Sequence, residues 1–92
     1  MSESVVEDYY ASYLGHEAWK RFAAIAKLPP DLSPIEEFFA VLEARLGSKK
    51  SAETWMAYDL PVLDYTSANA ILNRYDSDYA LPVLRAVLME MP

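Results

Sequence analysis

Hydrophobic residues recur every three to four positions along most of the chain, which is the spacing of one face of an α-helix. No stretch shows the sustained alternation of a half-buried strand. The pattern therefore predicts an all-α protein, a compact bundle of five to six short helices with no sheet. We expect one domain over 1–92, with a front helical pair at 2–28 and a C-terminal helical unit at 33–91.

The first two predicted helices span 2–14 and 16–28. Ser4 and Glu7 have the spacing of a capping box at the start of the first helix, and Gly15 is predicted to be the left-handed residue that ends it. The second segment is rich in alanine, and the two consecutive prolines that follow it end the helix. Its inward residues are predicted to be Trp19, Phe22, Ala23 and Ala26.

The third predicted helix has the clearest start in the sequence. Ser33 is a capping residue, Pro34 fits the first helical position, and Glu36 completes a capping box. Gly47 marks its end. The inward residues predicted for this helix are Phe38, Phe39, Leu42 and Leu46.

Three shorter helices are predicted to follow. One starts at Ser48 or Ser51, and the next at Thr66 or Ser67. The last starts near Asp78, because the proline four residues later is tolerated only in a first turn. The inward residues predicted for these helices are Ala52, Trp55, Met56, Ala68, Ile71, Leu72, Leu81, Leu84, Val87, Leu88 and Met91.

The connection YDLPVLDYT, at 58–66, is apolar where a turn is usually polar. Pro61 prevents the preceding helix from continuing. Trp55 lies just before this bend and is predicted to fold back over Leu60 and Leu63. Two interpretations remain open: the corner is a rigid joint within the core, or it is a surface patch that a partner covers.

The sequence predicts no catalytic, cofactor-binding or metal site. His16 is the only histidine, and neither a nucleophile elbow nor the second histidine of a zinc-protease motif accompanies it. The run Asp76-Ser77-Asp78 lacks the glycine and the final glutamate of a calcium loop, so we expect it to cap the last helix. Two glycines cannot form a phosphate-cradling loop, and the chain has no cysteine. We therefore expect no enzyme activity and no cofactor.

The chain is acidic, with 14 acids against 8 bases and a formal charge of −6. This charge repels a phosphate backbone, so no direct nucleic-acid binding is predicted. No apolar run approaches the length of a membrane-spanning helix, and no membrane association is expected. The acidic start and the absence of cysteine favour a cytoplasmic location.

Tyrosine is the residue type that most suggests binding. Tyr9 and Tyr10 are about 100° apart on a helix, so these two and Tyr13 cannot all face one core, and at least one ring should be exposed. Exposed aromatic residues among acids are typical of protein-binding surfaces. The residues predicted to contact a partner are Glu7, Asp8, Tyr9, Tyr10, Tyr13, Trp55, Tyr58 and Tyr65.

Residues 39–91 also follow a longer pattern: a small residue and Trp in one helix, Pro and Leu in the next turn, a Thr-started helix with an apolar pair, and an apolar last helix. Its positions are Ala52, Trp55, Pro61, Leu63, Thr66, Ile71, Leu72, Val83, Val87 and Leu88. This pattern resembles the C-terminal toxin-binding domain of Xre/MbcA/ParS-type antitoxins. Where that family has Leu-Gly-Gly this chain reads Leu63-Asp64-Tyr65, and Ser67 stands where Pro is usual. The resemblance implies a protein that blocks a toxin enzyme, of the NAD-degrading type, from a dimeric or higher assembly.

Three functions remain open at this point. The first is an antitoxin-like inhibitor, which acts by covering a toxin enzyme and could be a homodimer. The second is a phage or mobile-element inhibitor of host defence, similar to an anti-CRISPR protein, whose acids would face the basic groove of a host defence complex. The third, a helix-turn-helix regulator within 16–46, is disfavoured because its second helix is acidic.

Overall fold

The computed structural model describes residues 3–91 and confirms the all-α class. A single bridge between Leu60 and Thr66 is the only strand-like pairing in that range, and no sheet forms. The predicted start of the first helix at residue 2 lies outside the described residues. The helices are α1 (Glu3–Ser12), α2 (His16–Ala23), α3 (Pro34–Leu46), α4 (Lys49–Ala57), α5 (Ala68–Arg74) and α6 (Ser77–Glu90), with 3₁₀ turns at Ala24–Ala26 and Pro61–Leu63.

The start and end of α3 are as predicted. The Ser33 side chain accepts a hydrogen bond from the Glu36 backbone N–H at 3.3 Å, and the Ser33 N–H donates to the Glu36 carboxylate at 3.0 Å. Pro34 occupies the first turn, and Gly47 ends the helix with a φ of +94°. Both ends of this helix are therefore fixed by local chemistry.

The sequence left two possible capping residues for each of α4 and α5, and in both helices the structure shows a serine as the cap. Ser48, and not Ser51, caps α4 by accepting from the Ser51 N–H at 3.0 Å. Ser67, and not Thr66, caps α5 by accepting from the Ala70 N–H at 3.1 Å.

α6 starts within one residue of its predicted position near Asp78, but Pro82 does not lie in its first turn as predicted. The helix begins at Ser77, so Pro82 is its sixth residue and lies in the second turn. Because Pro82 has no N–H, it cannot donate the usual helical hydrogen bond to the carbonyl of Asp78, a residue near the exposed start of the helix. Asp76 occupies the N-cap position, but its side chain makes no capping hydrogen bond.

The predicted boundary between the first two helices is also corrected. α1 already includes Glu3, so Ser4 lies within the helix and is not its cap. Gly15 does have a positive φ of +94°, but it is the N-cap of α2 and not the residue that ends α1 at Ser12. Glycine is favoured there because L side chains rarely adopt this conformation.

The second helix is shorter than predicted. It ends at Ala23 and tightens into the Ala24–Ala26 turn, after which Lys27 adopts a left-handed conformation with a φ of +49°. The Pro29-Pro30 pair keeps the helix from resuming at Leu28, but it does not account for the end of α2 at Ala23.

The central element of the bundle is α6, which contacts α1, α2, α3 and α5. α1 also packs on the Pro61–Leu63 turn, and the Ala24–Ala26 turn packs on α3. Both helices of the predicted front pair therefore dock on the C-terminal helices, and one core cluster contains residues of both regions. The largest fully buried side chains are Val6, Trp19, Phe38, Val41, Leu42, Leu63, Ile71, Val83, Leu84 and Leu88.

Most predicted inward residues are buried. The exceptions lie at the edge of the core and are half-buried: Phe22, Ala26, Phe39, Leu46, Leu72 and Met91. Val41 is fully buried although it was not predicted to face inward. It lies three residues after Phe38, so helical spacing could have identified it.

Candidate functional site

The connection between α4 and α5, residues 58–66, is referred to below as the corner loop. Its two ends are tied together, because the Leu60 N–H donates to the Thr66 carbonyl at 3.2 Å and the Tyr65 N–H donates to the Leu60 carbonyl at 2.9 Å. Leu60 and Leu63 are buried in the core. For these two leucines, the interpretation as a rigid joint is confirmed.

Other side chains of the same loop are exposed. The exposed fractions are 58% for Tyr58, 48% for Val62 and 70% for Tyr65. A short loop that is fixed by hydrogen bonds and by buried leucines therefore presents three large apolar side chains to solvent. The corner is both a core joint and an apolar surface, with different residues in each role.

Two consecutive residues of the corner loop have left-handed backbones. The φ of Asp64 is +56° and that of Tyr65 is +60°. This conformation costs a non-glycine residue about 1–2 kcal/mol, because its Cβ approaches the following carbonyl oxygen. Non-glycine residues held in this region are uncommon and cluster at functional sites.

Trp55, a predicted contact residue, is only 8% exposed and belongs to the core. Its ring lies 6.2 Å from the Phe38 ring, centroid to centroid. Among the described atoms, its indole Nε1 is buried without a hydrogen-bond partner. Trp55 also lines an open groove of about 450 Å³ that includes Leu46 and the exposed Tyr58.

Tyr9, another predicted contact residue, is half-buried and connects α1 to the corner loop. It lines an apolar cavity of about 190 Å³ together with Pro61 and Val62. Burial raises the pKa of the Tyr9 hydroxyl to about 12, with a hydrogen bond to the Glu90 carboxylate and the charge of that carboxylate as further causes.

This pKa predicts a loss of stability at high pH. The unfolded chain should release the Tyr9 proton near pH 10, whereas the folded chain holds it to about 12. Between these values the unfolded state binds fewer protons, so the free energy of unfolding should fall as the pH rises, with no effect below pH 10. Urea unfolding of the wild type and of Tyr9→Phe across this window would measure the difference.

Glu90→Gln provides the control, because it removes the carboxylate and should move the Tyr9 pKa towards its ordinary value without abolishing the effect of burial. An absorbance titration of the wild type and of Tyr9→Phe shows which tyrosine ionisation the substitution removes. If the lost ionisation lies near pH 10, the assignment of a raised pKa to Tyr9 is wrong.

Tyr10 of α1 and Tyr13, which directly follows this helix, are already engaged within the chain. Tyr10 is 45% exposed and stacks on Tyr79 with ring centroids 4.4 Å apart. Tyr13 is half-buried, and its hydroxyl accepts a hydrogen bond from Arg85 Nη1 at 3.1 Å. The prediction that at least one of the three rings is exposed is confirmed by Tyr10. The acids Glu7 and Asp8 are exposed, as a partner surface requires, but exposure alone does not assign them a role.

A network around Arg85 was not predicted from the sequence. Its Nη2 forms an ion pair with Glu37 Oε1 at 3.3 Å, and the same oxygen accepts from Trp19 Nε1 at 2.7 Å. The Arg85 guanidinium also lies over the Trp19 ring, 5.0 Å from its centroid, while its Nε is buried without a partner among the described atoms. With Tyr13, this network joins α2, α3 and α6 to the segment that directly follows α1.

No three or more carboxylate or imidazole side chains within 3–91 are close enough to hold a metal ion. His16 is exposed at the start of α2. None of the described helices has the length and apolar character needed to cross a bilayer.

Comparison with known families and proteins assigns no function to the chain. No model of a known protein family matches it, and neither does any curated protein or solved structure.

Proposed function

We propose that this chain is a protein-binding module that neutralises a partner protein, as antitoxins do, and that the corner loop carries the contact. The observation that carries the proposal is Tyr65. Its ring is 70% exposed, yet its backbone is held in a left-handed conformation that glycine would adopt without strain. The hydrogen bonds and buried leucines of the loop hold this backbone, but the exposed Tyr65 ring adds little packing that would favour tyrosine over glycine. A contact of the ring outside the chain is the most direct reason for a tyrosine there.

The corner loop also has the composition of an interface centre. Tyr58, Val62 and Tyr65 supply exposed apolar surface, and Asp59 and Asp64 add exposed polar groups around it. Tyrosine is enriched among residues that dominate binding energy, and a polar rim commonly surrounds such a centre. Since the hydrogen bonds of the loop already fix its shape, little ordering would be needed on binding.

One feature of the backbone supports an antitoxin-like function. Asp64 and Tyr65 adopt left-handed conformations at the two positions where the antitoxin pattern has Gly-Gly. At these two positions the side chains depart from the pattern, while the backbone conformation is one that glycine adopts readily. Ser67, which stands where that pattern has Pro, is the N-cap of α5 and so differs from the pattern in its role as well. On this proposal the partner is a toxin enzyme of the NAD-degrading type.

The alternative is an inhibitor of a host defence complex. It is favoured by the charge of −6 and by the exposed Glu7 and Asp8, which could face a basic groove. Binding would then weaken steeply as salt is added. The antitoxin-like proposal places apolar contacts at the centre and expects a weaker dependence on salt.

Replacing Tyr65 with glycine tests the proposal. Glycine relieves the left-handed strain, which stabilises the folded chain by about 1–2 kcal/mol. It also loses more backbone entropy on folding, which destabilises the folded chain by about 0.5–1 kcal/mol. We therefore expect the free energy of unfolding to rise by about 0.5–1 kcal/mol while partner affinity falls about tenfold or more. Urea unfolding measures the first quantity, and calorimetry with the purified partner measures the second.

The partner would be obtained by capture from lysate on the immobilised chain, and its NAD hydrolysis measured with and without the chain. Leu14→Ser is a matched control, because Leu14 is 77% exposed but lies outside the corner loop. The proposal fails if no captured protein loses activity, or if Tyr65→Gly inhibits it as well as the wild type does.

A further inference from the structure

Three tyrosines from separate parts of the chain form a stack at the surface. Tyr10 of α1 lies on Tyr79 of α6, with ring centroids 4.4 Å apart and planes within 13° of parallel. Tyr75, just before α6, lies 5.2 Å from Tyr79 at an angle of 38°. Tyr79 stacks on one face of Tyr10, and Tyr10 is still 45% exposed. The stack therefore ends in an open aromatic ring.

Several acidic residues lie close to Tyr10 and Tyr79 along the chain. Glu7 precedes Tyr10 by three positions on α1 and so shares its side of the helix. Asp76 and Asp78 lie beside Tyr79, and all three acids are exposed. Arg74 is the only lysine or arginine within four sequence positions of Tyr10, Tyr75 or Tyr79. The open ring therefore lies in a field that attracts cations.

Elsewhere in this protein an arginine is held by an aromatic ring face and a carboxylate together. The Arg85 guanidinium lies 5.0 Å from the Trp19 ring centroid while a carboxylate of Glu37 pairs with it at 3.3 Å. Arg45 similarly lies 4.8 Å from the Phe22 centroid. A flat guanidinium stacks on an aromatic face and leaves its N–H groups free to bind carboxylates in its own plane.

We propose that the open face of Tyr10, with the carboxylate of Glu7 beside it, binds an arginine side chain of a partner protein. Lysine fits less well, because its ammonium group is compact, strongly hydrated and cannot stack. The surface contains no residue of the corner loop. It therefore stands apart from the proposed function, and each of the two can fail without the other.

Short capped peptides that alternate glycine with arginine, lysine or citrulline provide the probes. Citrulline keeps the planar shape but has no charge, so the three peptides separate stacking from charge. We expect the arginine peptide to bind several-fold more tightly than either of the others, with NMR shift changes centred on the rings of Tyr10 and Tyr79. Tyr10→Ala and Glu7→Gln should each weaken binding about two- to fivefold.

Tyr10→Phe keeps the ring and should retain most of the affinity, whereas Tyr58→Ala, on the corner loop, should change nothing. Since Tyr10→Ala could disturb the packing of α1, Glu7→Gln supplies a variant of an exposed side chain that leaves the stack intact. The proposal is overturned if the arginine peptide does not bind, if lysine binds equally well, or if neither Tyr10→Ala nor Glu7→Gln weakens binding.

Discussion

Replacing Trp55 with alanine is expected to lower the free energy of unfolding by about 3–5 kcal/mol, which is a large part of the 5–15 kcal/mol typical of a domain. Trp55 is 8% exposed, and its ring packs at 6.2 Å from that of Phe38. Truncation would remove this contact and leave a cavity between α3 and α4, which the surrounding helices can fill only in part. Thermal and urea unfolding of the purified variant would measure the loss.

Trp55→Phe separates packing from hydrogen bonding at this position. It keeps an aromatic ring and removes the buried Nε1, which has no partner among the described atoms, so it should cost clearly less than alanine. If Trp55→Ala left the melting temperature unchanged and abolished partner binding, then Trp55 would belong to the interface and not to the core.

The second large effect is expected for Glu37→Ala. This change removes the carboxylate that accepts from Trp19 at 2.7 Å and pairs with Arg85 at 3.3 Å. The side chain of Arg85 is 13% exposed and that of Glu37 is 29% exposed, so the pair lies between a surface ion pair and a fully buried one. We expect a loss of about 2–3 kcal/mol, because the charge of Arg85 and the Trp19 N–H would both lose their acceptor.

Glu37→Gln is the matched variant for this test. It retains an acceptor oxygen for Trp19 but removes the charge that pairs with Arg85, so it should cost less than alanine. Glu53→Ala, on the exposed side of α4, should change stability by less than about 0.5 kcal/mol. A Glu37→Ala protein as stable as the Glu53→Ala protein would show that the network contributes nothing to folding.

Helix starts could be predicted where the signal was local. Ser33, Ser48 and Ser67 each cap a helix by binding an N–H three residues later, so each signal lies within a few positions of the boundary. Gly15 shows the limit of such signals. Its positive φ could be predicted from the residue type. Its position at the start of α2, and not at the end of α1, could not.

Features that depend on the rest of the fold could not be predicted. Arg85 binds Tyr13 and Glu37, which lie 72 and 48 positions away, and no spacing rule joins them. Pro82 lies inside α6, although a proline there removes a hydrogen bond, because packing of the helix against four others offsets the loss. In both cases tertiary contacts decide the outcome.

The candidate site was predictable only in part. Composition identified Tyr10, Tyr58 and Tyr65 as candidates, and all three are exposed. Composition could not distinguish these exposed tyrosines from the half-buried Tyr9 and Tyr13, because the exposure of each ring depends on how α1 docks on α6. The left-handed backbone at Tyr65 gave no signal either, since tyrosine rarely adopts it, and aspartate at position 64 tolerates this conformation without requiring it.

The docking of α1 on α6 also has a consequence for biosynthesis. α1 leaves the ribosome long before α6 is translated, yet α6 supplies its main contact surface. Until then Val6 and the neighbouring apolar side chains of α1 lack most of the native surface on which they dock, and such exposed apolar surface favours aggregation of the nascent chain. The part of the core between α1 and α6 can therefore close only after α6 has been translated.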